Sequence, residues 1–302
     1  MPCYSPLKGW RARTTNESGK RGIVFNHREA FTDLPVEIAC GQCIGCRVDR
    51  SKAWAIRCVL EASQHQQNCF ITLTYDDEHL PTDGSLNVEH WQKFMKRLRK
   101  AYGGKRIRFY HCGEYGDENS RPHYHACLFG HQFEDQVLYS ERNGVRLYYS
   151  ERLEKIWGKG FCTVGDVTFE SAAYVARYVM KKVTGDRAAD HYLSLNPITG
   201  VISEIAPEYT TMSRRPGLAA DWYEKFKSDV FPDDFIVING KQMKVPQFFD
   251  AIHEREDLEG HLAIKGRRRA AANGRAADQT PDRLRVREAV KRKKLAQLKR
   301  EI

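Results

Sequence analysis

The segment Arg106–Gly130 limits the fold more than any other part of the chain. Residues 106–114 (Arg-Ile-Arg-Phe-Tyr-His-Cys-Gly-Glu) and 123–130 (His-Tyr-His-Ala-Cys-Leu-Phe-Gly) each predict a strand. Between them lie Gly116, Asp117, Asn119, Ser120 and Pro122, residue types that reverse a chain. The segment therefore predicts an antiparallel hairpin. Side chains alternate along a strand, so His123 and His125 share one face and Tyr124 takes the other. Glu114, at the end of the first strand, can face the same side. Two imidazoles and a carboxylate then converge with coordination positions left open, which suits a divalent metal that acts on a substrate rather than holding the fold. His111 and Glu118 are near enough to compete for the third position. A His-x-His pair by itself is more often hydrogen-bonded or exposed, so the reading depends on the rest of the chain.

Charge is unevenly placed. Of the formal +10 carried by 302 residues, all lies in 261–302, where fourteen Lys/Arg face four Asp/Glu. The tail, with Arg267, Arg268 and Arg269, points to a polyanion, and nucleic acid is the cytoplasmic candidate; a solvated basic tail is the plain alternative. No apolar run is long enough to span a bilayer, and the first residues lack the basic-then-apolar layout of an export signal. The expectation is a cytoplasmic protein with no membrane partner.

Nine cysteines in such a chain point to reduced thiols and metal ligation rather than disulfides. Cys40-Gly-Gln-Cys43-Ile-Gly-Cys46 places three thiols two residues apart on a glycine-bearing loop, which suits tetrahedral zinc. Cys3, Cys58 and Cys69 are candidates for the fourth ligand. A helix read over 47–66 takes in Cys58, and Cys3 is preferred. An iron–sulfur run would want a fourth Cys and a Pro where Arg50 and Ser51 stand.

Further elements follow from local pattern: a strand at Cys69–Tyr75, a helix from an Asn87 cap to about Tyr102, a helix at Glu151–Trp157 within an insertion, and a strand at Phe161–Thr168. A helix at Leu218–Phe226 and a hairpin turning at Asn239-Gly240 come next, then a basic helix opening at Thr280-Pro281. Arg214 and Arg215 either contact phosphate or are surface charge.

The second informative stretch is Ser171–Thr184. On a helix, Ala172, Ala176, Val179 and Val183 share one face, while Tyr174, Tyr178 and Lys181 cluster on nearly the opposite one. A separate apolar face already serves packing, so the phenols are read as outward-facing. Two tyrosines at i and i+4, with a metal site nearby, suit transesterification at a phosphodiester. A phenolate attacks phosphorus and displaces the 3′-oxygen, leaving a 5′-phosphotyrosine and a free 3′-hydroxyl. Its pKa of about 10 is high for this work, so Lys181 or Lys182 would assist. The phosphotyrosine retains the bond energy, so rejoining needs no ATP. The chain accordingly has no G-x-x-x-x-G-K-[ST].

Phe70-Ile-Thr-Leu-Thr-Tyr, Arg121-Pro-His-Tyr-His-Ala and Tyr174-Val-Ala-Arg-Tyr178-Val-Met-Lys-Lys match, in order, the three motifs of HUH endonuclease rolling-circle replication initiators. The two tyrosines and the Cys-rich start resemble the microvirus initiators, especially the gokushovirus branch. That resemblance implies an α+β fold with a central antiparallel sheet of about five strands flanked by helices. It implies His123, His125 and Glu114 as ligands of Mg2+ or Mn2+, Tyr174 and Tyr178 as alternating nucleophiles, and Lys181 or Lys182 as the assisting lysine. Single-stranded origin DNA and circular replicative-form DNA are the implied substrates, with Arg121, Arg177, Arg214 and Arg215 as DNA contacts. Host helicase and DNA polymerase are implied partners, in the bacterial cytoplasm. The expected division is 1–66 (Cys-rich), 67–185 (nuclease core), 186–260 (remainder of the catalytic domain) and 261–302 (tail, partly disordered or helical on DNA). The rival readings are a two-tyrosine HUH transposase, a zinc-stabilised DNA-binding protein without catalysis, and a hydrolase using water as nucleophile.

Overall fold

The computed structural model describes residues 3–17, 19–116, 119–177, 182, 183, 185, 188–195 and 200–297. They form two compact units, one joining the chain up to Arg50 with the residues from Leu262 onward, the other running Ser51–His261.

The first unit opens with β1 (Leu7–Thr15), β2 (Arg21–Val24) and β3 (Ala30–Ile38), an antiparallel sheet in the order β2-β1-β3. Local sequence pattern predicts no strand here. Most side chains of β1 and β3 are exposed, so neither shows an apolar/polar alternation, and Pro35 argues against a strand except at an edge, where β3 lies. After β3 the chain bends at Gly41, whose φ of +74° favours glycine, and enters α1 (Ile44–Ala62).

The second unit continues with β4 (Asn68–Leu73), α2 (Val88–Ala101), β5 (Arg108–Tyr115), β6 (Pro122–Phe129), β7 (Val137–Arg142), β8 (Val145–Tyr149), α3 (Glu151–Trp157), β9 (Cys162–Gly165) and α4 (Phe169–Arg177). Then come α5 (Ala188–His191), β10 (Leu193–Leu195), β11 (Ile202–Glu204), β12 (Tyr209–Met212), α6 (Ala220–Val230), β13 (Phe235–Ile238), β14 (Lys241–Lys244) and α7 (Gln247–Glu256). The helix starts follow their caps: Asn87 accepts from the Glu89 amide and Ser150 from that of Leu153.

The main sheet has seven antiparallel strands, β12-β5-β6-β4-β9-β8-β7, rather than about five. The surplus is at the edges. β12 is only four residues long, and the β7–β8 hairpin is largely exposed and lacks a buried stripe. Strand alternation divides the sheet into two faces. Ile71, Leu73, Tyr124, Ala126, Leu128 and Val164 pack under α2 and α3 through Trp91, Phe94, Leu98 and Trp157. Phe70, Tyr110, Cys112, Cys127 and Phe129 pack against Ala55 and Cys58 of α1 and Ala172, Val175 and Ala176 of α4. A buried pair of Arg108 and Glu61 ties α1 to β5, and Glu61 also accepts from the Ala219 amide at 2.7 Å. The β13–β14 hairpin turns at Asn239 and Gly240, both at positive φ as a type I′ turn requires.

The chain ends in α8 (Leu258–Asn273) and α9 (Pro281–Ala296), the latter capped by Thr280 with Pro281 in its first turn. Among the described residues no helix is long and apolar enough to cross a membrane. None of the nine cysteines forms a disulfide.

Candidate active site

The β5–β6 register sets Glu114 opposite His123 and Cys112 opposite His125. His123, His125 and Glu114 therefore project from the α1/α4 face, two on one strand and one on the next. Glu114 Oε1 lies 2.8 Å from His123 Nε2 and 3.1 Å from His125 Nε2. The other ring nitrogen of each histidine is anchored. His123 donates from Nδ1 to the Arg121 carbonyl at 2.9 Å, and His125 Nδ1 lies 2.9 Å from the Thr72 hydroxyl, which can accept its proton. With Nδ1 held in this way, each imidazole turns Nε2 to the carboxylate, as a donor when that nitrogen is protonated and as a lone pair for a metal when it is not. Three ligand atoms within 4.8 Å of one another make a donor set for a divalent cation. Burial would push the Glu114 carboxyl up, but hydrogen bonds from His123 and His125 outweigh it and hold it at about 2. The carboxylate is thus charged and ready to ligate.

The site opens into a cleft of about 260 Å³. Its wall is built from alternate residues of adjacent strands: Phe70, Thr72 and Thr74 along β4 and just beyond, His123 and His125 on β6, Thr163 on β9 and Leu147 on β8. Tyr174 on α4 closes it, its ring edge-on to His125 at 5.2 Å and to Phe70 at 6.4 Å. The ring is half-buried against His125 and Phe70 rather than turned out from the protein. Alternation of Thr72, Thr74 and apolar residues in Phe70-Ile-Thr-Leu-Thr is the available signal for hydroxyls on this wall; taken only as a strand, the run does not reveal them.

Arg177 places its guanidinium 5.7 Å over the Tyr174 ring. Lys182 is exposed. Tyr178, Lys181 and Glu118 lie outside the described residues. His111, the other rival for the third ligand position, is on the opposite face, stacked on Trp91 at 3.8 Å and bonded to Thr211. Arg121 reaches the Tyr75 carbonyl and pairs with Asp77 at 2.8 Å. Arg214 and Arg215 are exposed in the turn after β12. Arg267, Arg268 and Arg269 lie on α8, in the other unit.

Gly113 holds the hairpin close to its neighbours. A Cβ there would meet Tyr209 at 2.9 Å, Leu86 at 3.0 Å and Tyr124 at 3.2 Å, all packed rings or core methyls. Gly113→Ala is expected to cost about 1–3 kcal/mol in thermal or urea unfolding through overpacking. An unchanged midpoint would show that the sheet yields freely at this point.

In the first unit, Cys3, Cys40, Cys43 and Cys46 bring their sulfurs within 4.8 Å of one another, so the N-terminal cysteine does join the C-x2-C-x2-C run. Cys58 is buried in α1 and Cys69 in β4, and neither is part of that group. Tetrahedral zinc with Zn–S near 2.3 Å sets sulfurs about 3.8 Å apart, and Cys3 and Cys43 stand at 4.0 Å. Backbone amides aim at the sulfurs: Tyr4 donates to Cys43 at 3.3 Å, Cys40 to Cys3 at 3.3 Å and Cys43 to Cys40 at 3.2 Å. Burial opposes ionisation of Cys43, but the Tyr4 and Cys46 amides and thiols of the cluster pull it down to about 7. The cluster fits a structural, fully ligated metal.

A family model described as "Replication-associated protein ORF2/G2P" matches residues 68–183, the stretch holding the β5–β6 hairpin and Tyr174. Over 232 residues the chain is 35% identical to the replication-associated protein ORF2 of Spiroplasma virus 4, covering 72% of this chain and 68% of that one. It is 30% identical over 269 residues to the replication-associated protein VP4 of Bdellovibrio phage phiMH2K, with 86% and 79% covered. It is 33% identical over 221 residues to the replication-associated protein ORF4 of Chlamydia phage 1, covering 70% of this chain and 52% of that one. No solved structure gave a significant match. With the similarity running well beyond the hairpin into most of the chain, this protein belongs to the replication-associated protein ORF2/G2P family of microviruses.

Proposed function

We propose that this chain is a rolling-circle replication initiator of the HUH type, which nicks the origin of circular viral DNA through tyrosine and later rejoins the displaced strand. The observation that carries the reading is Tyr174, held edge-on to His125 at the mouth of a His/His/Glu donor set. A hydrolase that activates water needs no such phenol, and a pure binding module needs neither phenol nor donor set.

A divalent cation held by His123, His125 and Glu114, Mn2+ or Mg2+, supplies Lewis-acid polarisation of a non-bridging phosphate oxygen when bound. The chain's own groups do the rest. The Tyr174 oxygen forms the new bond to phosphorus as the bond to the 3′-oxygen breaks, the phenol proton being lost and the 3′-oxygen taking one up. Arg177, over the ring, places positive charge beside the approaching phosphodiester. Tyr178 is the second nucleophile in this reading, with Lys181 or Lys182 assisting. Family membership favours replication over transposition, which would use the same chemistry. Host helicase and polymerase then unwind and extend the strand, in the cytoplasm of the bacterial host.

Charge divides with the two units. Residues 1–50 and 262–301 carry 22 Lys/Arg against nine Asp/Glu, whereas residues 51–261 carry 27 against 30. The net of +13 in the zinc-type unit and −3 in the catalytic one assign general DNA affinity to the former in this proposal. Replacing Arg267, Arg268 and Arg269 by Gln is expected to weaken duplex binding and lower the slope of log K against log salt by about 0.9 for each phosphate no longer neutralised. A slope that does not move would take these residues out of the DNA interface.

The reading is tested by covalent capture. The protein is incubated with labelled single-stranded DNA from its replicon's origin region and Mn2+, then run on a denaturing gel beside Tyr174→Phe, Tyr178→Phe and the double variant. A metal-dependent adduct that survives in at least one single variant and vanishes in the double is the expected pattern. Cleavage without an adduct would point to water as nucleophile, and binding without cleavage to a module that only holds DNA.

A further inference from the structure

Next to the cleft, at the β7–β8 edge of the main sheet, lies a group of aromatic rings that fills no core. Tyr139 is 59% exposed and Phe161 40%, and their ring centres stand 5.1 Å apart. Tyr149, half-buried, lies 6.2 Å from Phe161 with the two planes only 12° apart. Val137 and Leu138, on the same strand as Tyr139, are also exposed. Clustered exposed aromatics of this kind mark an interaction site.

Their position relative to the cleft is set by the strands. Phe161 precedes Thr163 by two residues, and its carbonyl accepts from the Thr74 amide at 3.1 Å and the Thr74 hydroxyl at 2.7 Å. Tyr149 follows Leu147 by two residues on β8, so the two share a face. Thr163, Thr74 and Leu147 all line the cleft that holds Tyr174. The ring cluster is therefore the outward continuation of the cleft wall.

We propose that Tyr139, Phe161 and Tyr149 form a stacking platform for unpaired bases of single-stranded DNA flanking the phosphate presented to Tyr174. This rests on reading the cleft as the DNA-cleavage site. Phe161 lies nearly parallel to Tyr149 and Tyr139 is tilted by 53° from it, so the exposed Phe161 and Tyr139 offer faces to bases, and the contact tolerates any sequence because every base has a face to stack. Charge around the rings is mixed: Arg146 pairs with Glu141, and Glu151 and Glu154 lie within electrostatic reach of Tyr149. A phosphate-gripping surface would be uniformly basic, so this one recognises bases rather than backbone. A duplex, with its bases already stacked on each other, has no use for it.

The test uses the full chain carrying Tyr174→Phe, without added Mn2+ or Mg2+, and origin-strand oligonucleotides bearing 2-aminopurine at successive positions. Quenching confined to a short run of adjacent positions is expected. Tyr139→Ser combined with Phe161→Ser should abolish that quenching and weaken single-strand binding by roughly tenfold or more, with duplex binding unchanged. Tyr139→Phe and Phe161→Tyr should retain both, which separates stacking from folding defects. Quenching that persists in the Ser variant overturns the platform. So does a Ser variant whose sole effect, by sedimentation, is to turn a dimer into a monomer, since the patch would then join two copies along the β7 edge. Absence of quenching with a normal covalent adduct from the unmodified chain would end the platform alone, whereas absence of the adduct would end the nicking reading on which the platform rests.

Discussion

His125→Ala is expected to cut metal-dependent adduct formation by about a hundredfold to a thousandfold or more, a loss on the scale of removing one stabiliser of developing charge. The imidazole serves several neighbours at once. Its Nε2 faces Glu114, its Nδ1 faces Thr72, and its ring lies 5.8 Å from Phe70 and 5.2 Å from Tyr174. On the proposed reading, alanine removes a ligand and unseats the nucleophile together. It also takes a hydrogen-bond partner from a carboxylate that is only 2% exposed. Tyr174→Phe gives the contrast, since it keeps the ring packing and loses only the oxygen. Calorimetric titration with Mn2+ separates the two: the alanine variant should lose the binding isotherm, and the phenylalanine variant should keep it. A normal isotherm in His125→Ala would remove His125 from the ligand set. Tyr174→Phe with a lost isotherm would instead place the phenol on the metal.

The second large effect concerns the four cysteines. Cys43→Ser should unfold the first unit while leaving the main sheet intact. The apolar side chains buried in that unit are few and mostly small: Cys3, Ala12, Ala30, Ile264 and Leu284 among the described residues. A core of this size does not offset the ordering of three strands, and small modules of this kind rely on a metal or cross-link. Structural zinc sites contribute about 10–16 kcal/mol of apparent binding free energy near neutral pH, far more than such a core supplies. Hydrogen exchange should therefore show residues 7–38 losing protection in the variant, with β4, β5 and β6 still protected. Atomic emission on the unmodified protein should find zinc in a one-to-one ratio. Equal protection of 7–38 in both proteins would mean that the cysteines are not the fastening.

Much of the active-site side of this molecule is legible from local pattern. The hairpin register follows from a short polar loop between two strand-forming runs, and the period of two puts His123, His125 and Glu114 on one face without knowledge of any other element. The caps at Asn87, Ser150 and Thr280 are likewise local, because each is a contact to an amide two or three residues on. The N-terminal sheet is not legible, because strands solvated on most of their surface carry no alternation to read. The same holds for β7 and β8, which is why the sheet has more strands than expected.

Tyr174 shows where local pattern ends. Its opposition to Ala172 and Ala176 on a helix is a matter of 100° per residue, and both alanines are indeed buried. Which neighbour the opposite face meets depends on how α4 crosses the sheet, and no helical period encodes that. Packing of Ala172, Val175 and Ala176 on Phe70, Cys112 and Cys127 sets the ring against His125, a residue 49 positions earlier. Likewise, spacing alone points to three thiols near Cys40, whereas the return of the chain along β1 and β3 brings Cys3 to them. The ligand hairpin, the helix faces and the chemistry of the residues are all written in the order of amino acids, since each rests on neighbours a few positions apart. The meetings across the sheet are not: they are settled by long-range packing of surfaces, which no local period describes.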